Sequence, residues 1–157
     1  LTSVEIIGVA VKREENARDL YEYMATKIEN ELVKQKYLNL ANEEEKHKQV
    51  LNKLYIMLTG ENNGPPSIPG DNGISVNYKK ITQIEDLLKL AIQKEEEARD
   101  FYYQASMKTD DSSSKNILSY LSDMEKGHAN LLRSELQNYL NDKDWYANNP
   151  DLQLVGP

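Results

Sequence analysis

The chain has no cysteine, and only one tryptophan and one phenylalanine among 157 residues. Without cysteine there can be no disulfide, no Cys-ligated zinc and no iron–sulfur centre. A reducing compartment is compatible with that absence. No apolar run approaches the roughly 20 residues that a membrane-spanning helix needs. Basic residues are in the minority, 19 Lys and Arg against 26 Asp and Glu, leaving a formal charge of −7. This argues against a nucleic-acid surface, which depends on clustered Lys and Arg. The first residues show no basic segment followed by an apolar one, so no secretory leader is read and a cytoplasmic protein is expected. What remains is a chain 39% hydrophobic and 29% charged, the size of one globular domain with a real core.

Within that chain one pattern occurs twice. Glu14 and Glu44-x-x-His47 recur as Glu95 and Glu125-x-x-His128, offset by 81 positions in each case. The copy extends further: Ala10, Glu14, Glu15, Ala17, Arg18, Asp19 and Tyr21 return as Ala91, Glu95, Glu96, Ala98, Arg99, Asp100 and Tyr102. Lys34, Leu40 and Leu51 return as Lys115, Leu121 and Leu132. Two copies of one helical hairpin are the simplest account. The boundaries are read as repeat one over 3–59, a crossover over 60–81 and repeat two over 82–142. Residues 1–142 thus make one bundle, and 143–157 form a tail to which the pattern assigns no role.

Hydrophobic spacing predicts the helices. A capping box, Thr2-x-x-Glu5, opens the first, and Ile7, Ala10, Glu14, Ala17, Tyr21, Met24 and Ile28 follow at steps of three and four. The second carries Val33, Tyr37, Leu40, Glu44, His47, Leu51, Leu54 and Leu58 to a stop at Thr59-Gly60. Thr82-x-x-Glu85 is expected to cap the third, with Leu88, Ala91, Glu95, Ala98, Tyr102 and Ala105 inward. The run Asp110-Asp111-Ser112-Ser113-Ser114 starts the fourth, with Leu118, Leu121, Glu125, His128 and Leu132 inward. Between the halves, Gly60, Gly64, Pro65, Pro66, Pro69, Gly70 and Gly73 exclude a helix. A helix of about 26 residues is about 39 Å long, and about 20 extended residues can exceed 60 Å, so this segment can return along the whole bundle. That predicts an all-α, ferritin-like antiparallel four-helix bundle with a long crossover, whereas short loops throughout would give a simple up-down bundle.

The ligand-type residues are the polar intruders on these apolar stripes. Each Glu lies about 15 residues from its interhelix turn, near Glu29 or Asp110, which is about 22 Å by the helical rise and therefore mid-bundle. His47 and His128 sit one turn from Glu44 and Glu125 on the same faces. Four carboxylates and two imidazoles are thus expected to converge. Ionised carboxylates in an apolar interior are costly and repel one another unless cations neutralise them. Two divalent metals would do so, and imidazole with carboxylate bridges suits iron or manganese better than closed structural zinc.

A lone Glu-x-x-His is common, so the case rests on joint occurrence at matched heights. The neighbouring acids Glu15, Glu43, Glu45, Glu96 and Glu97 are read as solvated faces. Tyr21 and Tyr102, two turns from Glu14 and Glu95, either hydrogen-bond a ligand carboxylate or simply pack in the core. Arg18 with Asp19, and Arg99 with Asp100, are read as surface or hairpin-interface ion pairs.

The set resembles the di-iron domain of the rubrerythrin family in the ferritin-like superfamily. The resemblance rests on Glu14-x-x-Ala17-Arg18-x-x-Tyr21, Glu44-x-x-His47, Ala91-Ile92-x-x-Glu95 and Glu125-x-x-His128. It implies two iron ions per chain, or manganese, held by Glu14, Glu44, His47, Glu95, Glu125 and His128, with Glu44 and Glu125 as the bridging pair. It further implies a homodimer that reduces hydrogen peroxide or dioxygen with ferrous iron. Typical rubrerythrins add a Cys-ligated rubredoxin domain, for which this chain has no cysteine; an external donor such as a rubredoxin-like protein is expected instead. They also carry an extra Glu where this chain has Ala98, which brings the six-residue set closer to bacterioferritin-type sites. The alternatives to an oxidoreductase are a ferroxidase serving iron storage or delivery, and a non-catalytic metal-binding module.

Overall fold

The computed structural model describes residues 2–66 and 77–148. Four long helices, α1 (Ser3–Thr26), α2 (Glu31–Thr59), α3 (Ile84–Lys108) and α4 (Ser112–Asn141), are followed by a short α5 (Lys143–Asn148). The start of α1 is the expected capping box: Thr2 accepts from the Glu5 amide while Glu5 accepts from the Thr2 amide. Asn30 caps α2 through two amides, and Asp111 caps α4 through Ser114. Gly60 ends α2 at φ 73°, a left-handed position that glycine occupies without steric cost.

One cap differs from expectation. Gln83, not Thr82, precedes α3, and no side chain caps it. The incoming chain is fixed differently, because Tyr23 donates its hydroxyl to the carbonyls of Lys79 and Ile81. Ile84 is then buried as the first helical residue.

α1 pairs with α2 and α3 with α4 along their lengths, and the two hairpins meet through α1 against α3 and α2 against α4. Contacts give the directions. Tyr23 meets Ile81 while Glu14 meets Tyr102, so α1 and α3 run antiparallel. Lys36 meets Glu135 while Glu43 meets His128, so α2 and α4 do too. α2 and α3 are consequently parallel, and the chain must pass from one end of the bundle to the other between them. This is the ferritin-like four-helix arrangement. The central part of that connection, 67–76, lies outside the described residues.

Two apolar clusters fill the bundle on either side of its middle. One gathers Leu20, Met24, Val33, Tyr37, Leu87 and Leu88; the other gathers Ile7, Leu51, Leu54, Leu118 and Leu121. The layer between them is polar. The start of the tail also belongs to the core: Tyr146 is fully buried, its hydroxyl 2.6 Å from that of Tyr37 and donating to Glu135 at 3.0 Å. α5 also clasps the α1–α2 turn, accepting from the Glu29 amide at Ala147 and from Asn30 at Trp145. Tyr146→Phe is expected to cost about 1–3 kcal/mol by stripping Glu135 and Tyr37 of a buried partner. A thermal melt should show the loss; an unchanged melt would mean that apolar contact alone docks α5. Residues 149–157 lie outside the described residues.

Candidate metal centre

The polar middle layer is where the four stripes bring their interrupting residues. Glu14 (α1), Glu44 and His47 (α2), Glu95 (α3), and Glu125 and His128 (α4) are all buried, none more than 5% exposed. Donor atoms of Glu14, Glu44, His47 and Glu125 lie within 4.8 Å of one another, and so do those of Glu44, Glu95, Glu125 and His128. Glu44 and Glu125 belong to both groups. The two imidazoles stack across the layer, with centroids 5.7 Å apart.

These groups crowd with little hydrogen bonding among themselves, His128 Nδ1 with Glu95 Oε2 being the pair that has it. His47 Nδ1 is 3.1 Å from Glu125 Oε1 and 3.6 Å from Glu14 Oε2; His128 Nδ1 is 2.7 Å from Glu44 Oε1 and 3.0 Å from Glu95 Oε2. Yet Glu14 Oε2, both oxygens of Glu44, His47 Nδ1 and Glu125 Oε1 are buried with no hydrogen-bond partner. Buried polar atoms are almost always paired, so five orphans in one layer call for an explanation. Donor atoms this close that do not hydrogen-bond keep their lone pairs available to a cation. Four carboxylates and two imidazoles so arranged fit two divalent cations in charge and in donor type.

The protonation pattern follows from the same crowding. Burial, and then the neighbouring carboxylates, push Glu44 and Glu125 well above the ordinary range. Burial also raises Glu95, against the pull of His128. Glu14 goes the other way: burial opposes the shift, but Glu44, His47 and the Tyr102 hydroxyl beside it outweigh burial and lower its pKa. His128 rises to about 9, because Glu95, Glu125 and Glu43 overcome the burial that would depress it. Crowding thus favours retained protons in this layer, which divalent cations would displace.

Around the layer, Tyr102 donates its hydroxyl to Glu14 Oε1 at 2.6 Å, reaching across from the other hairpin. Its repeat counterpart Tyr21 is buried too, and its pKa is raised well above 10 by burial and then by Glu95, Glu44 and Glu125. Of the acids read as solvated, Glu45 pairs with Arg18 at 2.9 Å, Glu15 with Lys48 at 3.0 Å, Glu97 with Arg13 at 3.9 Å, and Glu96 with Arg133. Arg18 and Arg99 also hold Asp19 and Asp100.

Glu43 is solvated as read, with 42% of its side chain exposed, but it also reaches the layer. Its carboxylate lies 2.8 Å from His128 Nε2. Position 43 lies beside the stripe that Glu44 occupies, so the sequence reads it as a solvated face and does not foresee the contact with His128. Glu135 was passed over as well, although it sits two turns beyond His128 on that helix face. A cavity of about 100 Å³ opens between α1 and α3 beside Ala17, Leu20, Leu90 and Ala98, and reaches Glu14, Glu95 and Glu125. Arg13 and Lys94 also line it.

The fold and this layer define a ferritin-like bundle with a candidate two-metal carboxylate–histidine site. The sequence pattern of the rubrerythrin family matches residues 5–136, and the chain belongs to that family of di-iron proteins. Among solved structures, a hypothetical protein from Pyrococcus furiosus is similar, with 32% identity, a TM-score of 0.76, and coverage of 90% of this chain and 92% of that one. No curated protein matches the chain. Among the described residues no helix is long and apolar enough to cross a membrane.

Proposed function

We propose that this protein is a di-iron oxidoreductase that reduces hydrogen peroxide or dioxygen. The observation that carries the reading is the set of unpaired donor atoms in the layer, two of whose residues, Glu14 and Glu125, line a cavity between α1 and α3. Glu14, Glu44, His47 and Glu125 would hold one ion and Glu44, Glu95, Glu125 and His128 the other, with Glu44 and Glu125 shared. Ferrous iron at both positions would supply the two electrons that, with two protons, take hydrogen peroxide to two waters. The chain's own residues do the rest. Ala17, Leu20, Leu90 and Ala98 give the approach an apolar wall, and at about 100 Å³ the cavity suits a small oxidant. Tyr102 fixes Glu14 through one oxygen and leaves the other free to face an ion. Re-reduction is assigned in this reading to an electron donor such as a rubredoxin-like protein. A homodimer and a cytoplasmic setting belong to the same reading.

The test is anaerobic ferrous loading of apoprotein, then mixing with peroxide and with oxygen in separate stopped-flow runs. Fast oxidation by peroxide supports the peroxidase reading. Oxygen-driven turnover with release of ferric iron would assign the protein to iron handling instead.

Ala98 gives a sharper comparison. It is buried one turn beyond Glu95 and lines the cavity, so a carboxylate there could reach the adjacent ion. Ala98→Glu is expected to raise the ratio of peroxide to oxygen oxidation rates, at an overpacking cost of about 1–3 kcal/mol that the neighbouring cavity reduces. An unchanged ratio in a folded, fully loaded variant would mean that peroxide selectivity does not depend on this position.

A further inference from the structure

The two hairpins repeat the six ligand-type residues faithfully, but they do not repeat what stands behind the histidines. His128 has a carboxylate close to each ring nitrogen from consecutive residues of α2, Glu44 at Nδ1 and Glu43 at Nε2. Nδ1 faces inward to Glu44, Glu95 and Glu125, and Nε2 faces Glu43 at 2.8 Å. The same offset of 81 that relates the ligands carries Glu43 to Met124. A thioether is at best a weak acceptor. The close carboxylates of His47, Glu14 and Glu125, both face its Nδ1.

We propose that Glu43 is a positioning residue that makes the two metal positions unequal, so that the His128 position fills first and holds its ion more tightly. The proposal rests on the two-metal reading above. With Nδ1 directed at the layer, His128 would hold an ion through that nitrogen, leaving Nε2 as the N–H that Glu43 accepts at 2.8 Å. A carboxylate accepting the remote N–H of a ligating imidazole fixes the ring's tautomer and orientation and makes the ligating nitrogen more basic. His47 has Met124 at the sequence position equivalent to Glu43, and among the described residues its carboxylate neighbours lie at Nδ1 and none at Nε2. The looser ion is therefore the one held by Glu14 and His47. Glu43 is itself partly exposed, with a side-chain accessibility of 42%, so its effect comes through the hydrogen bond more than through long-range charge.

Anaerobic calorimetric titration of apoprotein with manganous or ferrous ion alone reads this directly. Wild type should show two binding steps of different affinity. Glu43→Ala should weaken the tighter step by about 10–100-fold and bring the two together. Glu43→Gln, which keeps an acceptor oxygen but not the charge, should fall between. Met124→Glu should tighten the weaker step, a gain that a merely structural role for position 43 does not foresee. Two equal steps in wild type, or a Glu43→Ala variant that leaves both steps unchanged or weakens them alike, would overturn the inference while the two-metal reading stands. Wild type that binds fewer than two ions would overturn that reading and the inference with it.

Discussion

Apoprotein loaded with manganous or ferrous ion is expected to melt about 10–20 °C above the metal-free chain. Each site filled at 100 times its dissociation constant adds about 2.7 kcal/mol. Two such sites, at roughly 2–4 °C per kcal/mol for a chain of this size, give that range. The gap should also depend on pH. Glu44, Glu95 and Glu125 have raised pKa values in the fold, so the folded apoprotein keeps protons that the unfolded chain releases above about 4.5. Its stability therefore falls as pH rises from that value through the folded pKa values. His128 adds to the fall: its contribution is complete below 6.5 and is lost as pH passes through about 9. Glu14, whose pKa is lowered, contributes above 4.5 and loses that contribution on acidification. Metal displaces the retained protons and binds better as pH rises. Calorimetric melts from pH 5 to 8, with and without metal, should show the gap widening; a constant gap would mean that the carboxylates are already ionised in the apoprotein.

Glu44→Ala is expected to abolish paired-metal binding and with it the whole of that thermal gain, while the apo variant stays helical and melts no lower than apo wild type. Both Glu44 oxygens are buried and unpaired, and three other carboxylates press on them. Removing the group leaves a small cavity, which costs stability. It also removes two orphaned polar atoms whose burial is costly, which restores it. Glu125→Ala should behave alike. Circular dichroism on the metal-free variants decides the matter: a large loss of helicity would make the residue's role structural.

The bundle and its ligand layer were legible because the same three-residue pattern interrupts an apolar stripe twice, and because 3.6-residue periodicity converts sequence distance into height. What was not legible depends on contacts between helices. Glu43 sits off the stripe of its own helix, and only the α2–α4 approach turns it toward His128. Tyr146 lies in a segment without periodicity, so its burial follows from a partner, Tyr37, more than 100 positions away. Thr82 has the right chemistry for a cap, but Tyr23 fixes the backbone just before it and the helix begins one residue later. The cavity beside Ala98 arises where small residues of two helices face each other, which no single stripe announces.

The layout of the six residues has a bearing on assembly. Each hairpin owns one glutamate and one Glu-x-x-His, three donors, and the candidate centre exists only along the seam where the hairpins meet. That seam is the sparser contact in the molecule, with the dense packing lying inside each hairpin. Iron would thus act as a rivet, and the supply of metal in the cell would decide how firmly the two halves stay shut.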